Sequence, residues 1–417
     1  MEKVAYKINI IGAGVSGLIA AQVLENEGYS ATIYEATDRA GGRVKTDLFN
    51  GYQLDHGFQV LLDAYPMAKK YLDFKALHLQ KFLPGAVIFK NGDQNTLGDP
   101  LRAVSLLFPT LFANIGNFSD KLKILKLDRE LKGMSLEQLF ASEEKSTLEF
   151  LKEKGFSDDI ITSFFKPFFS GIFLEPHLGT SSRMFQFIYK MFGEGLAVLP
   201  KAGIGAIAEQ LVSKLKNTNI NYSSSVLQVL EGKLILKDGR ELQSDFTLIA
   251  TDPSNLVPNI TERSTHWKSC HTFYFTTPKR NIKRPLIGLV ADQNAIINNI
   301  FFHTSLDSEK RGEDELLSVT VVKEHRLNET ELTKRVMEEL RTLCGIHETT
   351  FLKSYHIKEA LPQLSNLPYT VTPEQLRWSP TIYVAGDQQL YGSLNAAMIT
   401  GEIAAKAILK EINAKYL

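Results

Sequence analysis

The first regular feature of the chain is a short apolar, largely β-branched run at residues 7–11 (KINII), which reads as a buried parallel strand. It passes directly into Gly12-Ala13-Gly14-Val15-Ser16-Gly17. Apolar positions then recur at Leu18, Ala21 and Leu24, the spacing of one helix face, and the pattern runs to about Glu27, where Gly28 supplies a stop. A second short strand, Ala31–Tyr34, ends at Glu35. Far along the chain, residues 380–384 form a strand pattern ending in Gly386-Asp387, and a helix rich in small residues starts near Leu394. Between these ends, 219–226, 229–237 and 245–250 read as strands around the turn Asp238-Gly239-Arg240. Residues 101–195 predict mainly helix, interrupted at Lys166-Pro167. Residues 266–325 predict mainly strands, at 271–275, 286–290, 296–303 and 316–322.

Composition narrows the function classes. Forty-seven basic and 47 acidic residues cancel in a chain of 417 residues, so no global field attracts nucleic acid, and no nucleic-acid partner is expected. At 44% hydrophobic and 23% charged, the chain has the make-up of a soluble globular protein with two or three domains' worth of residues. Cys270 and Cys344 are too few for a disulfide framework or a zinc cluster; a cytoplasmic location is expected, and no metal site. Residues 1–21 could pass for a signal peptide, but their glycine spacing has the better explanation given below, and no cleavage site clearly follows. The longest uncharged run, 103–118, contains Pro109, Asn114 and Asn117 and falls short of the ~20 apolar residues that span a bilayer. It reads as a buried helix, with a membrane-surface patch as the alternative.

The order strand, G-x-G-x-x-G, helix, strand, acid assigns each part a task. Gly12 permits the tight turn, Gly14 lets backbone approach a pyrophosphate, and Gly17 lets the helix pack on the strand. Amide groups near Val15 and Ser16, at the helix N-terminus, favour phosphate charge. Glu35 has the position that accepts hydrogen bonds from a ribose. The pattern predicts dinucleotide binding.

Glu35 is followed at once by Asp38-Arg39-Ala40-Gly41-Gly42-Arg43-Val44-Lys45-Thr46. This stretch resembles the R-x-G-G-R-x-x-S/T element of glutathione-reductase-like flavoproteins. More narrowly, it resembles that of the superfamily of flavin amine oxidases, protoporphyrinogen oxidases and phytoene desaturases. The resemblance implies non-covalent FAD, with Gly41 and Gly42 allowing a close backbone approach and Arg39 and Arg43 neutralising phosphate. Residues 51–60 resemble the superfamily's G-x-x-x-D-x-G element, which implies that His56, Gly57, Phe58 and Gln59 lie near the flavin ring. His56 reads as a hydrogen-bonded structural residue rather than a catalytic one. Gly386-Asp387, followed by 391–405 (YGSLNAAMITGEIAA), resembles the C-terminal flavin motif of the same superfamily. By that match Asp387 bonds the ribityl or phosphate portion, and the helix beginning at Leu394-Asn395 aims its positive end at the flavin. Val226 corresponds to a valine that contacts adenine through its backbone.

These matches imply an α/β architecture: a Rossmann-like, parallel-sheet FAD domain of glutathione-reductase type with an interleaved α+β substrate domain. The FAD domain takes residues 1–85, 196–260 and 355–417. The substrate domain takes 86–195, mainly helical, and 261–354, mainly strands. Eight of the 25 phenylalanines (Phe164, Phe165, Phe168, Phe169, Phe173, Phe185, Phe187 and Phe192) crowd into the first of these, as helical core or as the wall of a site for a large apolar substrate. Lys121, Lys123, Lys126, Arg129 and Lys132 alternate with leucines on a basic helix, read as a solvated face or as a membrane-surface contact.

The resemblance implies an FAD-dependent oxidoreductase that takes a hydride equivalent at flavin N5 from a hydrophobic small molecule, with dioxygen or a quinone-like carrier as electron acceptor. Ser393 stands where amine oxidases carry an aromatic residue, and the strand at 271–275 lacks the lysine they commonly place there. Both departures point to the desaturase-like or protoporphyrinogen-oxidase-like branch, with flavin amine oxidase as the alternative and no catalytic acid or base identified. Prenyl-binding proteins of the GDP-dissociation-inhibitor type share the architecture without redox chemistry. UDP-galactopyranose mutases would need a basic diphosphate pocket, for which Lys279, Arg280, Lys283 and Arg284 are the candidates.

Overall fold

A computed structural model of the chain describes residues 6–98, 105, 115–257 and 265–414. Most of the uncharged run at 103–118 and the first five residues therefore lie outside the described residues.

Ile8–Ile11, buried at every position, is the central strand of a five-stranded parallel sheet. Ala31–Tyr34 and Phe246–Ile249 flank it, with Asn219–Asn221 and Ile382–Val384 outermost. Burial on both faces explains why Ile8–Ile11, Phe246–Ile249 and Ile382–Val384 are largely apolar runs rather than alternations. Register sets Ile11 opposite Tyr34 and Ile249, and Ile249 opposite Val384, so the strands' carboxyl ends form one edge. Ligands of such sheets bind beyond that edge. The predicted strand at 219–226 is instead two strands. Ser223 adopts φ 51°, its amide donates to the Thr37 carbonyl, and the turn sends Val226–Leu230 into a separate antiparallel sheet with Lys233–Leu236 and Glu241–Gln243.

A seven-stranded sheet carries the second half of the molecule, in the order Thr350–Pro362, Trp267–Thr277, Glu315–Val321, Ile297–Phe302, Ile287–Val290, Gly85–Lys90, Asp93–Gly98. Helix Glu329–Leu343 covers one face with Leu332, Val336 and Leu340. The domain boundaries drawn at 85 and 355 fall inside strands of this sheet, and the segment from 86 opens with a hairpin before its helices. Trp267–Thr277 is longer than the predicted 271–275 and begins four residues earlier.

The helices over the other side include Phe118–Gly133, Thr147–Glu153, Lys166–Phe173 and Ser182–Glu194. Regular α-helix is interrupted at Lys166-Pro167, as expected, although the helical course continues. A π-helical turn, Ile161–Phe165, runs straight into Lys166–Phe173, where Pro167 occupies the first turn and the amide it lacks is not needed. Helix Leu394–Ala414 returns to pack on helix Val15–Asn26, closing the FAD-type half on itself.

Candidate cofactor and substrate cavity

Beyond the carboxyl edge of the parallel sheet lies a cavity of about 1100 Å³, bounded by both halves of the fold. Of the residues singled out in the sequence, Gly12, Gly14, Val15, Ser16, Glu35, Gly41, Gly42, Arg43, His56, Gly57, Phe58, Gln59, Gly386, Asp387 and Leu394 line it. Two regions that are distant in sequence, 12–59 and 386–394, thus meet on one surface.

The glycine loops explain the meeting. Gly12 turns the chain at φ 99°, and a β-carbon on Gly17 would stand 2.2 Å from the Gly12 carbonyl oxygen, so only glycine lets the helix sit on the strand. No atom lies within 4 Å of where a Gly14 β-carbon would be, which leaves that backbone open to the cavity. No side chain caps helix Val15–Asn26, so its first-turn amides remain for an anion. The second loop zips onto the first: the Gly41 amide donates to the Ala13 carbonyl at 2.9 Å, and Gly14 pairs with Gly41. This cradle, an open backbone over an uncapped helix start with a carboxylate beside it, fits a dinucleotide such as FAD. The Glu35 carboxylate accepts from the Ala13 amide at 2.8 Å and from the Thr37 amide and hydroxyl at 2.9 and 2.7 Å, which fixes its place on the wall.

Arg43 and Asp387 both line the cavity and form a two-point ion pair, with Arg43 also 5.1 Å over the Trp267 ring. Gln59 donates to the carbonyls of Arg43 and His56, both at 2.8 Å. His56 Nε2 stands 3.1 Å from the Asp47 carboxylate but makes no hydrogen bond, and its ring lies 4.6 Å from that of Tyr355. Burial would raise the Asp47 pKa, but hydrogen bonds from Arg39, Tyr355 and Lys353 hold it far below the usual carboxylate range.

Four predicted residues do not line the cavity. Gly17 is packed beneath the loop, and Arg39 is spent on Asp47. Val226 is buried in an apolar cluster with Ile11 and Val384. Asn395 is buried behind the helix start, accepting from the Met67 amide at 3.0 Å and donating to the Tyr391 hydroxyl at 2.9 Å. The basic cluster at 279–284 does not line it either: Arg280 bonds the Thr304 carbonyl and pairs with Glu315, and Arg284 bonds Ser105.

The phenylalanine cluster divides. Phe165, Phe169, Phe173, Phe185 and Phe187 are buried core, with Phe169 and Phe173 at the cavity's edge, whereas the half-buried Phe164, Phe168 and Phe192 line the cavity. Phe58, Phe82 and Leu83 line it as well. Lys268, outside the predicted strand, also lines the cavity, its Nζ donating to the Phe173 carbonyl at 3.0 Å and to Thr180 at 3.1 Å. Burial lowers the Lys268 pKa, against a partial restoration by Glu175. Burial pushes the Cys270 thiol up to about 12, so this wall residue stays protonated near neutrality. Among the described residues no cluster of metal ligands occurs, and no helix is long and apolar enough to cross a membrane.

A family model described as flavin containing amine oxidoreductase matches residues 15–409. The chain is 28% identical over 169 residues to protoporphyrinogen oxidase 2, chloroplastic/mitochondrial, of Arabidopsis thaliana, covering 40% of this chain and 32% of that protein. It is 30% identical over 156 residues to an L-amino-acid oxidase of Trimeresurus stejnegeri, covering 35% and 30%. These matches span about a third of the length of each curated relative. In fold the chain is similar to a solved putrescine oxidase bound to putrescine, with TM-score 0.69, 17% identity, and 98% of this chain and 100% of that chain covered.

Proposed function

Because the chain belongs to the flavin-containing amine oxidoreductases, and so is an FAD-dependent oxidoreductase, we propose that its substrate is a bulky apolar molecule, dehydrogenated in the manner of desaturases and protoporphyrinogen oxidases. The observation that carries this reading is the aromatic wall: the half-buried Phe164, Phe168 and Phe192 line the cavity together with Phe58, Phe82 and Leu83. Such a lining gains from large apolar surface and offers few partners to a small charged amine. Bound FAD supplies the hydride acceptor, its N5 atom. The chain's own part is to grip the cofactor with its glycine loops, Arg43 and Asp387, to seat the substrate against the wall, and to exclude water. The electron acceptor in this reading is dioxygen or a quinone-like carrier.

Lys268 favours a second reading, flavin amine oxidase. The strand that carries it reaches further than the sequence predicts, and so supplies the lysine whose absence counted against that class. Anaerobic mixing of the FAD-loaded protein with polyenes, porphyrinogens and amines separates the two. Bleaching of the oxidised-flavin absorbance by polyenes or porphyrinogens is expected, and bleaching by amines alone would reverse the assignment.

A further inference from the structure

Helix Phe118–Gly133 carries two apolar stripes. Leu127 and Leu131 are buried on the inner one. Phe118, Leu122 and Leu125, spaced by four and three residues, form the outer one and are 70, 53 and 44% exposed. These three side chains also line the cavity mouth, beside the half-buried Phe164, Phe168 and Phe192, so the apolar wall continues from the interior to the surface. Exposed large apolar residues are ordinary when scattered; a stripe of them at a cavity entrance is not. By helical spacing Lys121 and Lys126 flank the stripe and Arg129 extends it by one turn. Lys126 and Arg129 are exposed and form no ion pair among the described residues. The helix is held firmly from behind: an Asn117–Asp120 capping box starts it, and the buried Lys190 donates to the carbonyls of Leu131 and Lys132 at its end.

We propose that this helix docks the protein on an anionic lipid surface, so that an apolar substrate passes from the bilayer into the cavity without crossing water. The inference rests on the apolar-substrate reading for its purpose. Three side chains fall far short of the ~20–30 residues a side of a stable protein interface. An apolar stripe edged by cations is instead the pattern of a helix lying in a headgroup layer.

The test is co-sedimentation of the FAD-loaded protein with vesicles of phosphatidylcholine alone and of phosphatidylcholine mixed with phosphatidylglycerol. Binding to the mixed vesicles only is expected. Lys126→Glu with Arg129→Glu should weaken it by roughly 30-fold or more, and Leu122→Ser with Leu125→Ser should abolish it. The charge variants lie off the cavity lining, so an unchanged flavin spectrum shows that they are folded. No partition, equal partition of wild type and variants, or a dimer that Leu122→Ser and Leu125→Ser dissolve would overturn the proposal. The assay needs no substrate. Vesicle binding together with reduction by amines alone would therefore sink the substrate reading and leave the docking surface standing, and apolar turnover without vesicle binding would do the reverse.

Discussion

Arg43 grips the carboxylate of Asp387 with both terminal nitrogens of its guanidinium, across 344 residues of sequence. The pair fastens the N-terminal glycine loops to the C-terminal flavin-type motif on the cavity wall. Arg43→Met leaves a buried carboxylate without its partner, and FAD affinity should fall by about tenfold to a hundredfold in a fluorescence titration. Asp387→Asn should cost less, and the double variant less than the two losses added. An unchanged dissociation constant for Arg43→Met would make the pair a bystander to cofactor binding.

A β-carbon on Gly401 would stand 2.3 Å from the Ser16 carbonyl oxygen, a backbone atom that cannot swing aside. Gly401→Val must therefore push helix Leu394–Ala414 off helix Val15–Asn26. We expect about 3 kcal/mol of lost stability, read as a lower melting temperature, together with reduced FAD content after purification. A variant that melts with wild type and keeps its FAD contradicts the packing described.

Asp55 gives a pH signature. Burial pushes its carboxyl from 3.8 up to about 6, against hydrogen bonds from Thr46 and the Ile204 amide that favour the charged form. The folded state thus binds a proton more tightly than the unfolded one, and stability attributable to Asp55 falls as pH rises from about 4 to about 6 and is level above. The change is at most about 3 kcal/mol. Asp55→Asn removes it, so the variant should gain on wild type across that window in parallel denaturant titrations. Parallel curves from pH 4 to 7 would refute the assignment.

Lys268 tests the electron acceptor. If dioxygen reacts beside this amine, Lys268→Met should slow aerobic reoxidation of the reduced protein by about tenfold or more while leaving anaerobic reduction much less affected. Equal effects on both half-reactions would confine Lys268 to anchoring the Phe173 carbonyl and Thr180.

The FAD-type half was legible because its instructions are local. Gly12, Gly17, Gly41 and Gly42 mark places where a side chain would collide or a backbone must turn, and such places read directly from residue type. The substrate half was less so. A bulge between Lys268 and Cys270 shifts the register there, which hides the start of strand Trp267–Thr277 and Lys268 with it. Strand Thr350–Pro362 escaped for a related reason: as a partly exposed edge carrying Lys353, His356 and Lys358, it shows neither an apolar run nor a clean alternation. Asn395 was drawn to the cofactor by its motif position, and only tertiary structure reveals Met67 and Tyr391 as its partners. Whether the phenylalanines were core or wall could not be read from spacing, because adjacent turns of the same helices serve both.

The distance between Arg43 and its carboxylate has a consequence for synthesis. The residue that fastens the nucleotide-binding loops is synthesised 344 positions after Arg43. Until then strand Phe246–Ile249 lacks its outer neighbour and helix Val15–Asn26 its covering helix. Cofactor capture that depends on this pair therefore waits until Asp387 has been made.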